Sequence, residues 1–223
     1  MSNEQLAVSN SEGGSLPHAP TAYAFSATPS AGSSPQRPHI ICVTGQMAAG
    51  KNFICSQLEK KGFVSLDLDS VAHEAILLCT PQILEAFSAI ATSRGISLLN
   101  ADGSLNRRAL GKIVFSSPEL LAQQEAIVYP KIIELVNQFI EENSGKNVIL
   151  NATVLFKTPA LLSKCEKILF VKANFLKRLY RAKKRDKLPL CQILARFKNQ
   201  KNLLAEYQKT ANKFQIPIEI IKN

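Results

Sequence analysis

The stretch HIICVTGQMAAGKNFICSQL, His39 to Leu58, decides the fold. A short apolar, β-branched run, Ile40 to Thr44, suits a strand buried on both faces. Gly45, four residues and Gly50-Lys51 then follow, the spacing of a phosphate loop. Next comes an amphipathic segment, Lys51 to Lys61, with Phe53, Ile54 and Leu58 on one face and Gly62 as its expected C-cap. Strand, glycine loop and helix in that order form a cradle for phosphate. The glycines let backbone N–H groups converge on an anion, and the helix adds the positive end of its dipole. Lys51 would supply a cation at the β- and γ-phosphates. The residue after the lysine is ordinarily a hydroxyl that helps hold magnesium. Here it is Asn52, whose carbonyl oxygen is the expected metal contact, direct or through water.

The rest of the chain alternates in the same way. Phe63 to Leu66 reads as a second strand ending at Asp67, and helical patterns cover about 70–78 and 81–94. Asn100 to Gly103 is a turn, because Asp-Gly readily supplies a positive φ. A helix spans 105–115, and a longer one runs from Pro118 to about Asn143, with Pro130 expected to kink or split it. Val148 to Ala152 and Lys167 to Lys172 are strands three and four. Helices follow over about 174–184 and 189–212, and Ile216 to Ile221 is a fifth strand. This order predicts a three-layer α/β/α fold around a five-stranded parallel sheet, with the phosphate loop at the carboxyl end of a central strand.

The composition narrows the partners. The chain has 223 residues, 46% of them hydrophobic, and a formal net charge of +10. That is one domain plus a tail, with an excess of positive charge suited to phosphates, nucleotides or nucleic acid. Nucleic acid is disfavoured, because no aromatic stacking platform accompanies the basic run. Residues 1–38 are rich in Ser, Ala, Pro and Gly and read as a disordered extension. The cysteines, Cys42, Cys55, Cys79, Cys165 and Cys191, form no C-x-x-C pair. They read as buried hydrophobes in a reduced, cytoplasmic compartment. No apolar run is long enough to span a bilayer.

Two further stretches carry chemistry. In SLDLDSVAHE, Ser65 to Glu74, two carboxylates follow the second strand. Alternation would put Asp67 and Asp69 on one side if the strand continued. Asp67 is the expected catalytic base or orienter of an attacking hydroxyl. Asp69 is equally well read as a helix N-cap. The basic run from Lys177 to Lys198 contains Arg185 and Arg196, read as lid arginines that close over nucleotide phosphates. The other lysines of this run read as a solvated helical face.

Together these stretches resemble the dephospho-coenzyme A kinase family. VTGQMAAGKNF sits where that family has a TGGIGSGKST-like loop, and LDLDSVAHE matches its D-A-D-x-[IV]-A-H-E signature. LNADGSLNRRALGKIVFSSPE, Leu99 to Glu119, resembles a stretch specific to the family among phosphate-loop kinases. RDKLPLCQILARFKNQ looks like its lid segment. The resemblance runs from about His39 to Asn223. It implies ATP and Mg2+ as cofactors and dephospho-coenzyme A as substrate. The chain would act as a cytoplasmic monomer or weak homo-oligomer. A helical substrate region lies at about 70–143 and a lid at about 181–200.

By position, Gly45, Ala48, Ala49, Gly50, Lys51, Asn52 and Phe53 would hold ATP phosphates with Arg185 and Arg196. Lys51, Asp67 and Arg185 would be catalytic. Asp67, Asp69, His73, Arg107 and Arg108 would face the acceptor. The chain departs from the family pattern at several positions. Gln46, Met47 and Ala48 replace three small residues, and Tyr129 precedes Pro130 where histidine is usual. Asn151 stands where an aspartate is often found, and Lys157 where a glutamate is usual. A degenerate relative that binds nucleotide but transfers phosphate poorly is the alternative reading.

Overall fold

A computed structural model describes residues 39–223. The expected disordered extension over residues 1–38 lies outside the described residues. The first strand, β1 (Ile40–Gly45), leads through the phosphate loop into α1 (Lys51–Glu59) and then β2 (Phe63–Asp67). A helical region follows: α2 (Leu68–Leu78), α3 (Thr80–Ser93), α4 (Arg107–Val114) and α5 (Pro118–Glu142). The chain re-enters the sheet as β3 (Asn147–Asn151). It passes a 3-10 turn (Leu155–Lys157) and the short α6 (Pro159–Leu162), then forms β4 (Lys167–Lys172). Helices α7 (Phe175–Asp186), α8 (Leu190–Asn199) and α9 (Leu203–Phe214) precede β5 (Ile218–Lys222).

All five strands are parallel, in the order β2-β3-β1-β4-β5. The loop therefore opens at the end of the central strand. The period of two in β1 divides its side chains between the sheet's faces. Ile41 and Val43 pack with Ile54 and Leu58 of α1 and with Ile149, Leu169 and Val171. Ile40 and Cys42 pack on the opposite face with Val71, Phe87, Ile132 and Val136 of the helical region and with Tyr207 of α9. Both faces are thus covered, as the apolar β1 run requires.

The structure differs from the expectations in four places. The helix expected over 189–212 is two helices, because Gln200, between them, spends its side chain and its carbonyl on the phosphate loop. Pro130 does not end α5, which runs from Pro118 to Glu142. Burial of Val128, Ile132 and Val136 on the helical core outweighs the one backbone bond that the proline removes. Helix α1 stops at Glu59, so its C-cap is Lys60 rather than Gly62. Four cysteines are buried, but Cys191 is exposed on α8. No single helix among the described residues is long and apolar enough to cross a membrane. Helices α2 and α3 meet those criteria only as a pair bent by 72°.

Tyr207 ties α9 to the segment after β3. Its hydroxyl accepts from Leu155 N at 2.9 Å and lies 3.3 Å from the Thr153 carbonyl, to which it donates. Its ring meets Phe156 and Phe170 edge-on. Tyr207→Phe keeps the ring but leaves the buried Leu155 N–H unpaired. Urea unfolding should show a loss of about 1–3 kcal/mol; an unchanged midpoint would remove this hydroxyl from the account.

Candidate active site

The phosphate loop keeps its shape because glycine is needed at both ends. A Cβ on Gly45, at φ 152°, would lie 2.4 Å from the Val171 carbonyl oxygen of β4. Gly50 takes φ 100° as the N-cap of α1, and a Cβ there would meet the Asn223 side chain. Between them, Ala48 adopts φ 60°, a left-handed conformation that costs alanine more than glycine. The N–H groups of Gly50, Lys51 and Asn52 take no partner among the described residues. They form the open first turn of α1, with no acidic residue nearby in that turn.

The residues that depart from the family pattern hold this loop to the lid. Arg178 of α7 is 6% exposed. Its Nε donates to the Met47 carbonyl at 3.0 Å and its Nη1 to Gln46 Oε1 at 2.7 Å, while its guanidinium lies 4.2 Å above the Phe197 ring. Gln46 Nε2 donates to the Gln200 carbonyl at 3.0 Å, and Met47 N donates to Gln200 Oε1. Met47 packs with Ala182, Ile193 and Phe197. Arg181 Nη1 and Asn223 Nδ2 both donate to the Ala49 carbonyl, at 3.3 and 2.9 Å. A glycine at 46 or 47 could make none of these side-chain contacts. Two helices of the lid therefore brace a loop that holds an alanine in a left-handed conformation.

Lys51 turns back across the loop. Its Nζ donates to the Gly45 carbonyl at 3.3 Å and to Thr153 Oγ1 at 3.1 Å. Burial pushes its pKa below the ordinary lysine value. Asp69 and then Asp67 oppose that shift, and Arg185 adds to it. A cavity of about 340 Å³ opens beside it, lined by Lys51, Asp69, Thr153, Arg185, Arg196 and the loop residues Met47 and Ala48, with Asn199 and Gln200 at the lid. Three cationic side chains thus share the cleft with one carboxylate. Arg185 is also paired with Asp186, Nε to Oδ1 at 2.6 Å, which raises its pKa.

A second cavity of about 100 Å³ adjoins this cleft. Asp69 and Thr153 line both. Its remaining walls include Leu68, Ala72, Tyr129, Ile132 and Lys157. Tyr129 and Lys157, two of the substituted positions, share Glu125: Lys157 Nζ donates to Glu125 Oε1 at 2.7 Å, and burial followed by Glu125 pushes the Tyr129 pKa up.

The N-cap expected at Asp69 falls on Asp67 instead. β2 ends at Asp67, and its Oδ1 accepts from Asp69 N at 3.0 Å, so Asp67 is the N-cap of α2. Asp69 sits in the first turn, where 100° per residue turns it away from Asp67 and onto the cleft. Asp67, His73, Arg107 and Arg108 are exposed and line neither cavity. Phe53 is 48% exposed. The sequence reading left Thr153, Arg178 and Asn151 without a role. Thr153 carries no local signal beyond following an apolar strand, Asn151 shows only as an amide at the end of that strand where an aspartate is often found, and Arg178 lies inside a basic run whose lysines face solvent.

A parallel sheet with a phosphate loop at its central strand, a lysine turned into the cleft and a basic lid over it define a phosphate-loop kinase. The sequence profile of the dephospho-CoA kinase family matches residues 39–214. The dephospho-CoA kinase of Treponema denticola is 38% identical over 178 residues, covering 78% of this chain and 79% of the relative. A crystal structure of a Thermus thermophilus protein superposes with a TM-score of 0.68 at 26% identity, covering 84% of this chain and 90% of that one. The Campylobacter jejuni dephospho-CoA kinase shares the fold, with a TM-score of 0.53 at 23% identity over 83% of this chain and 88% of its own. The chain belongs to the dephospho-CoA kinase family.

Burial of Lys51 has a measurable consequence. A lysine whose folded pKa is lowered adds stability above the unfolded pKa, about 10.4, and loses it as pH falls through the folded value. At neutral pH the ligand-free protein therefore carries a destabilising ammonium. Lys51→Met should raise the melting temperature of the ligand-free protein, by about 2–4 °C per kcal/mol recovered, and abolish the further rise on adding ATP. A lower melting temperature with the ATP response intact would contradict this placement.

Proposed function

We propose that this chain transfers the γ-phosphoryl group of ATP to the ribose 3′-hydroxyl of dephospho-coenzyme A, giving coenzyme A and ADP. This is the reaction of the family to which it belongs, and the final step of coenzyme A synthesis. The observation that carries the reading at residue level is the shared wall. Asp69 borders both the cleft that contains Lys51 and the adjoining cavity under the helical region. A donor phosphate on the loop and an acceptor hydroxyl in the second cavity would meet at that carboxylate.

In this reading the free N–H groups at the start of α1 and the Lys51 ammonium hold the β- and γ-phosphates. Asp69 accepts the proton of the 3′-hydroxyl as its oxygen attacks the γ-phosphorus, and the bond to the bridging oxygen breaks to release ADP. Arg185 and Arg196 stabilise charge on the transferring group. Asp67 orients Asp69 by capping the same helix turn, a positioning part rather than the base. His73, Arg107 and Arg108 remain candidates for the outer, anionic portion of the acceptor. The degenerate alternative is not favoured: the loop glycines, Lys51 and the lid arginines are all in place, and the substituted loop residues are bonded into the lid.

A divalent ion on ATP neutralises charge across the β- and γ-phosphates. Among the described residues no group of three or more His, Cys, Asp or Glu side chains converges to hold a metal. The oxygens at the usual metal positions are the side-chain carbonyls of Asn52 and Asn151. They suit an ion that keeps most of its ligands as water and phosphate. We place the reaction in the cytoplasm, with the chain acting as a monomer or weak homo-oligomer.

An assay of ADP release dependent on dephospho-coenzyme A separates the two aspartates. Asp69→Asn should lower kcat by about 10²–10⁴-fold with little change in the KM for ATP. Asp67→Asn keeps a side-chain oxygen that can cap the helix, so it should leave stability nearly unchanged and lower kcat far less. The reverse order would return the base to Asp67.

A further inference from the structure

Asn52 and Asn151 are 99 residues apart in sequence and in contact in space. Asn52 lies in the first turn of α1, and Asn151 ends β3, beside Val43 of β1. Asn151 Nδ2 donates to Asn52 Oδ1 at 3.2 Å. Asn151 is 7% exposed, and its Oδ1 is buried with no hydrogen-bond partner among the described residues. In phosphate-loop enzymes the ion is held by a loop hydroxyl and by an aspartate at the end of a neighbouring strand. Both of those positions are amides here, and the two amides are bonded to each other.

The two amides fit one another. A serine at 52 opposite Asn151 would be too short to receive the Asn151 amide at its present position, leaving a buried NH2 group unpaired. An aspartate at 151 would remove the donor that Asn52 Oδ1 now accepts from, and the exposed Asn52 would have to turn its amide over to meet the carboxylate. The first change leaves a buried polar group unpaired, which is costly, and the second breaks the present bond. The pair as it stands satisfies one carbonyl and leaves the other, Asn151 Oδ1, without a partner.

We propose that Asn52 and Asn151 act as one uncharged clamp at the metal position. Without a formal charge the clamp takes up no divalent ion by itself. It receives the ion only on the nucleotide, whose phosphates supply the negative charge, and Asn151 Oδ1 is the protein oxygen left to meet the ion or its water. This rests on the reading of the loop as the ATP site, so the experiment separates the two.

Calorimetry with ATP in excess chelator reports on the nucleotide site alone; failure to bind there would sink the ATP reading and with it the clamp. Uptake of Mn2+, followed by the resonance signal of the free ion, reports on the clamp. The unaltered protein should take up no Mn2+ at millimolar concentration alone, and should take it up once a non-hydrolysable ATP analogue is present. The double variant Asn52→Ser/Asn151→Asp should bind Mn2+ without nucleotide at least about tenfold more tightly than the unaltered protein or either single variant, a non-additive gain. Mn2+ uptake by the unaltered protein alone at the level of the double variant would overturn the proposal. So would a full gain from Asn52→Ser alone. Should the double variant not fold, the 15N-labelled unaltered protein still decides. Mn2+ alone should leave the Asn151 side-chain amide resonance sharp, and Mn2+ with the analogue should broaden it. Broadening by Mn2+ alone would overturn the clamp.

Discussion

The structure is organised around one ammonium group that burial disfavours. Lys51 begins α1, bends back over the loop to the Gly45 carbonyl and Thr153, and lies beside a single carboxylate, Asp69. Burial pushes its pKa below the ordinary lysine value, so the ligand-free fold disfavours its charged form. Such a group persists where an anion is meant to arrive and restore the balance. The central placement of β1, the two glycines that shape the loop and the lid above it all keep that cation in the cleft, with the open backbone N–H groups of α1 nearby.

The second constraint is the loop's own backbone. With alanine in a left-handed conformation at position 48, the loop cannot rely on glycine flexibility at that point. Rigidity is supplied from outside, by Arg178 on one side and Gln200 on the other, through Gln46 and Met47. The departures from the family pattern are therefore not scattered losses. Gln46 and Met47 are bonded to the lid, Lys157 and Tyr129 share Glu125, and Asn52 bonds Asn151. These altered residues have each acquired a partner, as expected of a sequence that still specifies one working site.

What could be read from the sequence follows from what is local. The buried strand before the loop, the glycine spacing and the position of Lys51 depend on neighbours in the chain, and all five strands lie within two residues of where their apolar runs place them. Side chains that act at a distance left no such mark. Arg178 looks like any other member of its basic helix until α7 packs on the loop. The break at Gln200 contains neither proline nor glycine, and is caused by bonds to residues more than 150 positions earlier. Alternation places two aspartates on one side only while a strand lasts, and β2 stops at Asp67, so Asp67 caps α2 and Asp69 turns onto the cleft. Cys191 is exposed because α8 turns that side to solvent, which residue type cannot reveal.

The central claim is that a cleft with this altered loop still moves phosphate onto dephospho-coenzyme A. It is tested most directly by incubating the unaltered protein with Mg2+, ATP and dephospho-coenzyme A and following ADP and the 3′-phosphorylated product together. The account predicts that the two appear in equal amounts, and that no ADP forms when the acceptor is omitted. Binding of ATP with no acceptor-dependent ADP would contradict it.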